Sequence, residues 1–365
     1  MVYVFVTYNP SLEFDSPESW IERTEGYTGI LFCLAANNTV INIKQINYEG
    51  QYLHRDVHYY FIDFGKKKKL FPQKLHELVK SFNPDIVFVQ GLHKPFQFIQ
   101  LGLQLNKKTK VIAQHHAEKP LTGFKKHLQR IADRYIDAYL FASRKMGLDW
   151  VKKGNISSGD KIHEVMEVSS IFSPMDKFKA RQKTGVQNGL IFLWVGRLND
   201  NKDPLTVLSA FLEFAKENTS ARLYMVYHTE ELLKEVKEKL NNSDQKESVT
   251  LVGRVPHDDL QYWFNSADII LSGSHYEGSG TAVCEAMSCG CLPIVTDIDS
   301  FRMITDNGRC GILYEAGNAI ALLEALNQTK TIDIIEKQQA SLEYFRSNLS
   351  FEAIASRIQE IAAGL

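Results

Sequence analysis

The segment ADIILSGSHYEGSGTAVCEAM, residues 267–287, decides the fold. Its first part is an apolar run that ends at Ser274, which is typical of a buried strand. A Gly-Ser-Gly turn follows at 278–280, and residues 281–288 then have the composition of a short helix. A strand that leads through a glycine turn into a helix is typical of α/β domains. In such domains the loops at the carboxyl ends of the strands bind ligands.

Predicted strands and helices alternate in the same way along the rest of the chain. A chain of 365 residues is long for one core and suggests two domains. Strands that alternate with helices predict parallel sheets with both faces covered. We therefore expect two doubly wound, Rossmann-like α/β domains that face a cleft, one in residues 1–172 and one in residues 173–348. The predicted strands are 2–6, 40–46, 57–64, 86–90, 110–114, 138–143, 189–198, 221–227, 248–255, 267–274 and 291–297.

The bulk composition is that of an ordinary globular protein, with 44% hydrophobic and 23% charged residues. No run of about 18 apolar residues predicts a membrane span. The amino-terminal stretch lacks a basic region and a cleavage site, so we expect a first strand there and no signal peptide. The five cysteines are an odd number without the spacing of a zinc site, which favours reduced thiols and a cytoplasmic protein.

Charge is distributed unevenly along the chain. Residues 1–170 carry 23 Lys and Arg against 17 Asp and Glu, whereas the remainder carries 19 against 26. A basic first half could face an acidic acceptor or make a peripheral contact with the inner face of a membrane. Runs such as Lys66–Lys69 and residues 107–110 are more often solvated loops, and the sequence leaves both interpretations open. We expect no nucleic-acid partner.

Two acids flank the glycine turn of the opening segment. Glu277 lies in the loop before the helix, and Glu285 lies about one turn into it. Gly278 and Gly280 let the backbone approach a ligand, and the free N–H groups at the helix start suit a phosphate. The two carboxylates can accept hydrogen bonds from two sets of hydroxyls, one on a sugar and one on a ribose. Acids that merely cap a helix would explain Glu277 alone.

A second motif, VGRLNDNKDP, occupies residues 195–204. Gly196 ends a predicted strand, and Arg197 and Lys202 stand in the loop that follows. Cations at this end of a strand can neutralise a departing diphosphate, whose negative charge grows in the transition state. A surface loop with scattered charges is the alternative, and the motif by itself does not decide between them.

These motifs resemble the family 4 retaining glycosyltransferases, the group 1 glycosyl transferases with a GT-B fold. The family pattern is a glycine–arginine with a lysine soon after, followed by two glutamates that flank seven residues and continue into Glu-Ala-Met. Here it reads GRLNDNK at 196–202 and EGSGTAVCEAMSCGCLP at 277–293. The resemblance covers roughly residues 190–330 with specific motifs and is weaker over 110–180.

The resemblance implies a metal-independent hexosyltransferase without a cofactor, in which a UDP- or GDP-sugar donates to a saccharide or lipid-linked acceptor in glycan, glycolipid or polysaccharide synthesis. The second domain would bind the donor, the first the acceptor, and the last helix, 349–365, would pack back on the first. The implied catalytic residues are Glu277, Arg197, Lys202 and one of His115 and His116. The implied donor-binding residues are Gly196, Arg197, Lys202, Gly253, Arg254, Glu277, Gly278, Ser279, Gly280, Thr281, Ala282 and Glu285.

The first domain departs from the family pattern. Many members carry a Gly-Gly loop after the first strand, whereas this chain has TYNPSLEFDSPESW at 7–20. Residues 297–299 form an Asp-Ile-Asp that is more typical of a strand-end turn than of a metal site. A nucleotide-dependent dehydrogenase would need a G-x-G-x-x-G after an early strand, and the sequence has none. A non-catalytic carbohydrate- or nucleotide-binding protein on the same fold is the remaining alternative.

Overall fold

The computed structural model describes residues 1–65, 70–186 and 189–365. They form two compact units, one of Met1–Ser169 with Phe351–Leu365 and one of Ser170–Ser350. The Lys66–Lys69 run, for which the sequence leaves a solvated loop and a contact with a partner both open, lies outside the described residues. None of the helices in the described ranges is long and apolar enough to cross a membrane.

The sheet of the first unit has eight strands in the order β3-β4-β2-β1-β5-β6-β7-β8. Neighbouring strands are parallel except β3 and β4, which form an antiparallel hairpin that the sequence analysis missed. Its turn is Arg55-Asp56, and both residues have positive φ, as a tight two-residue hairpin requires. The strands are β1 (Val2–Thr7), β2 (Thr39–Lys44), β3 (Gly50–His54), β4 (Val57–Phe61), β5 (Ile86–Gln90), β6 (Lys110–Gln114), β7 (Ala138–Phe141) and β8 (Ile162–Glu164).

The sheet of the second unit has six parallel strands in the order β11-β10-β9-β12-β13-β14. The chain builds outward from β9 on one side and then returns to place β12 on its other side. This reversal is the topological switch point at which open α/β sheets bind ligands. The strands are β9 (Ile191–Gly196), β10 (Arg222–Tyr227), β11 (Val249–Gly253), β12 (Ile269–Ser272), β13 (Leu292–Thr296) and β14 (Ile312–Tyr314).

Helices cover the strands in both units. Between β1 and β2 the chain forms two helices, because it breaks at Thr24. The helices are α1 (Pro17–Arg23), α2 (Glu25–Ala35), α3 (Gln73–Ser81), α4 (Pro95–Gln104), α5 (Gly123–Ala132), α6 (Arg144–Lys152), α7 (Lys177–Thr184), α8 (Pro204–Glu217), α9 (Leu233–Asn241), α10 (Leu260–Ser266), α11 (Thr281–Ser288), α12 (Asp299–Ile304), α13 (Ala319–Gln328), α14 (Ile334–Tyr344) and α15 (Phe351–Ala363).

The last helix, α15, belongs to the first unit and packs against α2. A Cβ added at Gly29 of α2 would lie 2.5 Å from the ring of Phe351. The glycine therefore provides the space in which the first aromatic side chain of α15 is seated. Phe351 is partly buried, so its packing contributes less than the about 1.5–3 kcal/mol of a fully buried side chain.

Candidate functional site

The loops after β9 and β12 lie side by side because these two strands are neighbours in the sheet. Three hydrogen bonds join them. The His275 amide donates to the Asn201 carbonyl at 2.8 Å, and the Asn201 side chain donates to the Tyr276 carbonyl at 3.0 Å. The His275 imidazole Nε2 is 3.2 Å from Asp203 Oδ2. Asp203 also caps α8, so the two loops are fixed to one helix start.

These contacts bring together Lys202 and Glu277, two residues that the sequence analysis assigned to diphosphate and sugar. The Lys202 ammonium donates to Glu277 Oε1, and the Ser274 hydroxyl donates to the same oxygen at 2.7 Å. The side chains are 25% and 14% exposed, respectively. A partly buried pair of this kind offers a carboxylate for sugar hydroxyls and an ammonium for a phosphate.

Gly280 occupies the N-cap position of α11 and has φ of +62°. A Cβ there would also lie 2.6 Å from the Phe301 ring, so both the backbone and the packing require glycine. The amides of Val283 and Cys284 donate to the Gly280 carbonyl. The amides of Thr281 and Ala282 precede them in the first turn, where a helix has no intrahelical acceptor. These N–H groups can therefore bind an anion.

Glu285 is a buried residue of α11, 8% exposed. The His257 Nε2 donates to its Oε1 at 3.2 Å. His257 follows β11, whose last residue, Gly253, has φ of +81°, and Arg254 next to it is exposed. The sequence analysis missed His257, because only its position shortly after a strand would have indicated it.

Arg197 is not brought into this contact. It is exposed, and no ion pair among the described residues involves it. Its neighbour Gly196 has a different part: a Cβ there would lie 3.2 Å from the Trp194 ring and 3.6 Å from the Lys202 Cγ. The Trp194 ring is therefore the tighter contact, and the distance to Lys202 is an ordinary van der Waals separation.

The two adjacent histidines of the first unit have different surroundings. His115 is 2% exposed and stacks on Phe141. Its Nε2 donates to the Glu118 carbonyl at 2.8 Å, and its Nδ1 accepts from the Ala117 amide at 3.3 Å. Burial lowers the pKa of His115, and both of its ring nitrogens are engaged in hydrogen bonds.

His116 has one ring nitrogen in contact with Glu167 and one that is available. Burial lowers the pKa of the imidazole, but the hydrogen bond and charge of the Glu167 carboxylate outweigh it, so the pKa of His116 is raised. The side chain is 31% exposed. Among the described residues no partner contacts its Nε2, which can therefore donate to a ligand.

Glu118 joins the ends of two strands of the first sheet, β5 and β6. Its carboxylate accepts from the Leu92 amide at 2.7 Å, the His116 amide at 2.6 Å and the His93 imidazole at 3.3 Å. Burial raises the pKa of Glu118, but these hydrogen bonds outweigh it and lower the pKa to about 2. The other ring nitrogen of His93 is 3.1 Å from the Asn9 side chain. Sequence reasoning missed Glu118, Glu167 and His93.

The Asp-Ile-Asp at 297–299 does not stand out as a ligand cluster. Asp297 pairs with Arg302, and Asp299 opens α12. In the part of the chain that the structure describes, no group of three or more His, Cys, Asp or Glu side chains could hold a metal ion. Independence from metal stays a prediction.

Residues 176–346 match the family model of "Glycosyl transferases group 1". Among curated proteins, the D-inositol 3-phosphate glycosyltransferase of Pseudarthrobacter chlorophenolicus is 26% identical over 152 residues, covering 40% of this chain and 36% of that protein. The alpha-monoglucosyldiacylglycerol synthase of Streptococcus pneumoniae is 29% identical over 154 residues, covering 41% and 34%. The matched part thus spans about a third of the length of these relatives.

Solved structures resemble the whole chain. HepE of Anabaena in complex with UDP has a TM-score of 0.75 at 15% identity and covers 100% of both chains. A glycosyltransferase of Rickettsia africae has a TM-score of 0.75 at 19% identity and covers 99% of this chain and 97% of its own. This likeness confirms the predicted GT-B fold.

Proposed function

Because residues 176–346 match the family model of "Glycosyl transferases group 1", we propose that the protein is a retaining glycosyltransferase. It moves a sugar from a nucleoside-diphosphate sugar to a hydroxyl of a saccharide or lipid-linked acceptor. The observation that supports this most directly is the contact of Lys202 with Glu277 beside the Gly280 turn. An acid, a cation and free amides meet there at the switch point of a parallel sheet.

Each part of the donor has a group of matching chemistry in the second unit. In this proposal the Glu277 carboxylate accepts hydrogen bonds from hydroxyls of the transferred sugar, and Lys202 binds the diphosphate. Arg197, exposed next to Lys202, turns toward the diphosphate when the donor binds. Glu285 exchanges its His257 partner for the ribose hydroxyls. The loop after β11, at Gly253 and Arg254, passes the nucleobase.

The reaction breaks the bond between the anomeric carbon and the diphosphate oxygen. Negative charge grows on the leaving diphosphate, and Lys202, Arg197 and the amides of residues 278–282 stabilise it; loss of one such donor typically slows a reaction about 10²- to 10³-fold. The acceptor hydroxyl attacks the same face of the sugar and gives its proton to the departing phosphate oxygen. The configuration at the anomeric carbon is thereby retained.

Release of nucleoside diphosphate tests the proposal. UDP-glucose is the first donor to use, since the Anabaena structures contain UDP-glucose, and GDP-sugars follow. Glu277→Gln and Lys202→Met should abolish release, whereas Lys216→Met, which removes an exposed helix-surface ion pair to Glu213 in the same unit, should not. Proton NMR of the product should show a retained anomeric configuration. Donor binding without release from any UDP- or GDP-sugar would identify a binding protein instead.

The metal and acceptor parts of the proposal have separate tests. Activity should persist in excess EDTA, because Lys202, Arg197 and the helix-start amides supply the positive charge that a metal would otherwise provide. The acceptor is assigned to the first unit, where His116 presents its Nε2. His116→Gln should reduce transfer to an acceptor while the affinity for UDP stays unchanged.

A further inference from the structure

Lys44, the last residue of β2, is a buried cation. The residue is 9% exposed, and its ammonium donates to the Asn9 carbonyl at 3.0 Å. It stands 5.7 Å from the centre of the Trp20 ring. Among the described residues no carboxylate oxygen lies within 4.0 Å of it. Burial lowers the pKa of Lys44 to about 8, and the exposed Glu13 raises it only through space.

A cation in such a position is incompletely satisfied. An ammonium has three donors, of which the Asn9 carbonyl accepts one. Buried charges are costly unless they are paired and hydrogen-bonded. The Trp20 ring provides a cation–π contact, which contributes less than a carboxylate partner would. A negatively charged ligand would supply the missing partner.

The position of Lys44 in the sheet is that of a ligand-binding residue. Strands β2 and β5 flank β1, so the chain reverses direction across the sheet at β1. Asn9 after β1 contacts both Lys44 and His93, and His93 contacts Glu118, which holds the His116 amide. Lys44 is therefore part of one polar cluster at the carboxyl ends of four neighbouring parallel strands. The Lys44 charge also acts electrostatically on the His116 ring.

Two of the acids in this cluster are already engaged. Glu167 contacts His116, and Glu118 accepts three hydrogen bonds. The groups with donors to spare are the Lys44 ammonium and the His116 Nε2. Separate donors that follow two strands of one sheet match an anion with several acceptor oxygens, as a phosphate has. A neutral hydroxyl would leave the Lys44 charge uncompensated.

We propose that Lys44 binds a phosphate group carried by the acceptor, with His116 as a second donor. The identification of this ligand as the acceptor rests on the proposed function. The phosphate site itself does not depend on the proposed function. The phosphate would belong either to a soluble sugar phosphate or to the headgroup of a phospholipid. Lys44 then causes the protein to prefer acceptors that carry a phosphate over neutral sugars.

Calorimetry with glucose 6-phosphate and with glucose tests the site on the full-length protein. Lys44→Met should weaken glucose 6-phosphate binding at least tenfold, while Lys44→Arg, which keeps the charge, should retain most of it. The matched control is Lys110→Met at the start of β6, where the lysine has a carboxylate partner, Asp137, at 3.2 Å. This control should change the affinity less than twofold. The wild type should bind glucose more weakly than glucose 6-phosphate, whereas Lys44→Met should not distinguish the two ligands.

A separate experiment tests whether the phosphate belongs to a phospholipid headgroup. Vesicles of phosphatidylcholine with phosphatidylinositol should bind the wild type better than Lys44→Met if the headgroup is the ligand, and pure phosphatidylcholine vesicles should not distinguish them. Lys44-dependent binding of either phosphate probe supports the site. Equal binding of both probes by the wild type and Lys44→Met would overturn it. So would an equal loss in Lys110→Met, since the effect would then be one of folding.

The proposed function fails in a different measurement. The affinity for UDP depends on the second unit and should be unchanged in Lys44→Met, and UDP release from UDP-glucose is measured on the wild type. If no donor is turned over but glucose 6-phosphate binding still requires Lys44, the phosphate site stands and the transferase proposal falls. If donor turnover is normal but glucose 6-phosphate binding does not depend on Lys44, the transferase proposal stands and the phosphate site falls. A lower melting temperature of Lys44→Met with an unchanged phosphate-induced shift would assign Lys44 a purely structural role and refute the site.

Discussion

Gly280→Ala should destabilise the start of α11 far more than Gly290→Ala destabilises its end. Both glycines have positive φ, +62° and +86°, respectively. A Cβ at residue 280 would lie 2.6 Å from the Phe301 ring, whereas a Cβ at residue 290 would meet no atom within 4 Å. The pair therefore separates the backbone penalty, which both substitutions have, from the steric penalty, which only one has.

The magnitudes follow from these two terms. A left-handed conformation costs a residue with a Cβ about 1–2 kcal/mol relative to glycine. Forcing an extra carbon into a packed site typically costs about 1–3 kcal/mol more. We expect about 2–5 kcal/mol for Gly280→Ala and about 1–2 kcal/mol for Gly290→Ala. The Phe301 ring is fully buried, so it has little room to move away.

Hydrogen exchange measured by mass spectrometry is the suitable assay, because a two-domain chain need not unfold in a single step. Peptides that cover residues 281–288 should exchange faster by about 30-fold or more in Gly280→Ala, and by about 5- to 30-fold in Gly290→Ala, since each 1.4 kcal/mol is a factor of ten. Adding Phe301→Ala to each variant should remove the difference between them. Equal protection in the two single variants would refute the steric argument, and unchanged protection in both would refute the backbone argument as well.

Other predictions concern the titratable pairs. Glu167→Gln should lower the pKa of His116, because the carboxylate stabilises the imidazolium; NMR titration of the ring would show it, and an unchanged pKa would remove Glu167 as the partner. The stability that this pair contributes should be full below the unfolded pKa of about 6.5 and lost as the pH rises through the raised folded pKa. His257→Ala should alter the affinity for UDP several-fold but not that for inorganic diphosphate, since its partner Glu285 is assigned to the ribose. Equal changes for both ligands would contradict that assignment.

The donor-side residues were visible in the sequence because the fold places them close together along the chain. In a strand–turn–helix unit the acid before the helix and the acid on its first turns are only eight positions apart. Gly280 must be glycine for two local reasons, so it leaves a recognisable pattern. Lys202 and Glu277 are 75 positions apart in the sequence. Each of them nevertheless follows a strand that can be predicted from the alternation of strands and helices. Their assigned roles stay predictions until the variants are measured.

The two histidines show what a local pattern does not contain. His115 and His116 are adjacent after the same strand, and nothing in the sequence separates them. The difference arises from distant residues: Phe141 and Trp150 enclose the ring of His115, whereas Glu167 takes one nitrogen of His116. Of these two histidines, only His116 therefore has a ring nitrogen, Nε2, that is available to donate to a ligand.

The same reasoning explains why the first unit gave so little information about its ligand. Its polar cluster takes single residues from the ends of four strands, and Asn9, Lys44, His93 and Glu118 are separated by 25 to 84 positions where they contact one another. No turn or helix forces a spacing among them, so no motif results. A lysine that ends an apolar strand is, by sequence alone, simply the point at which the strand reaches solvent. Only the absence of a carboxylate beside it in the folded, described structure turns Lys44 into a candidate for binding an anion, and that makes the identity of the acceptor a question of charge compensation.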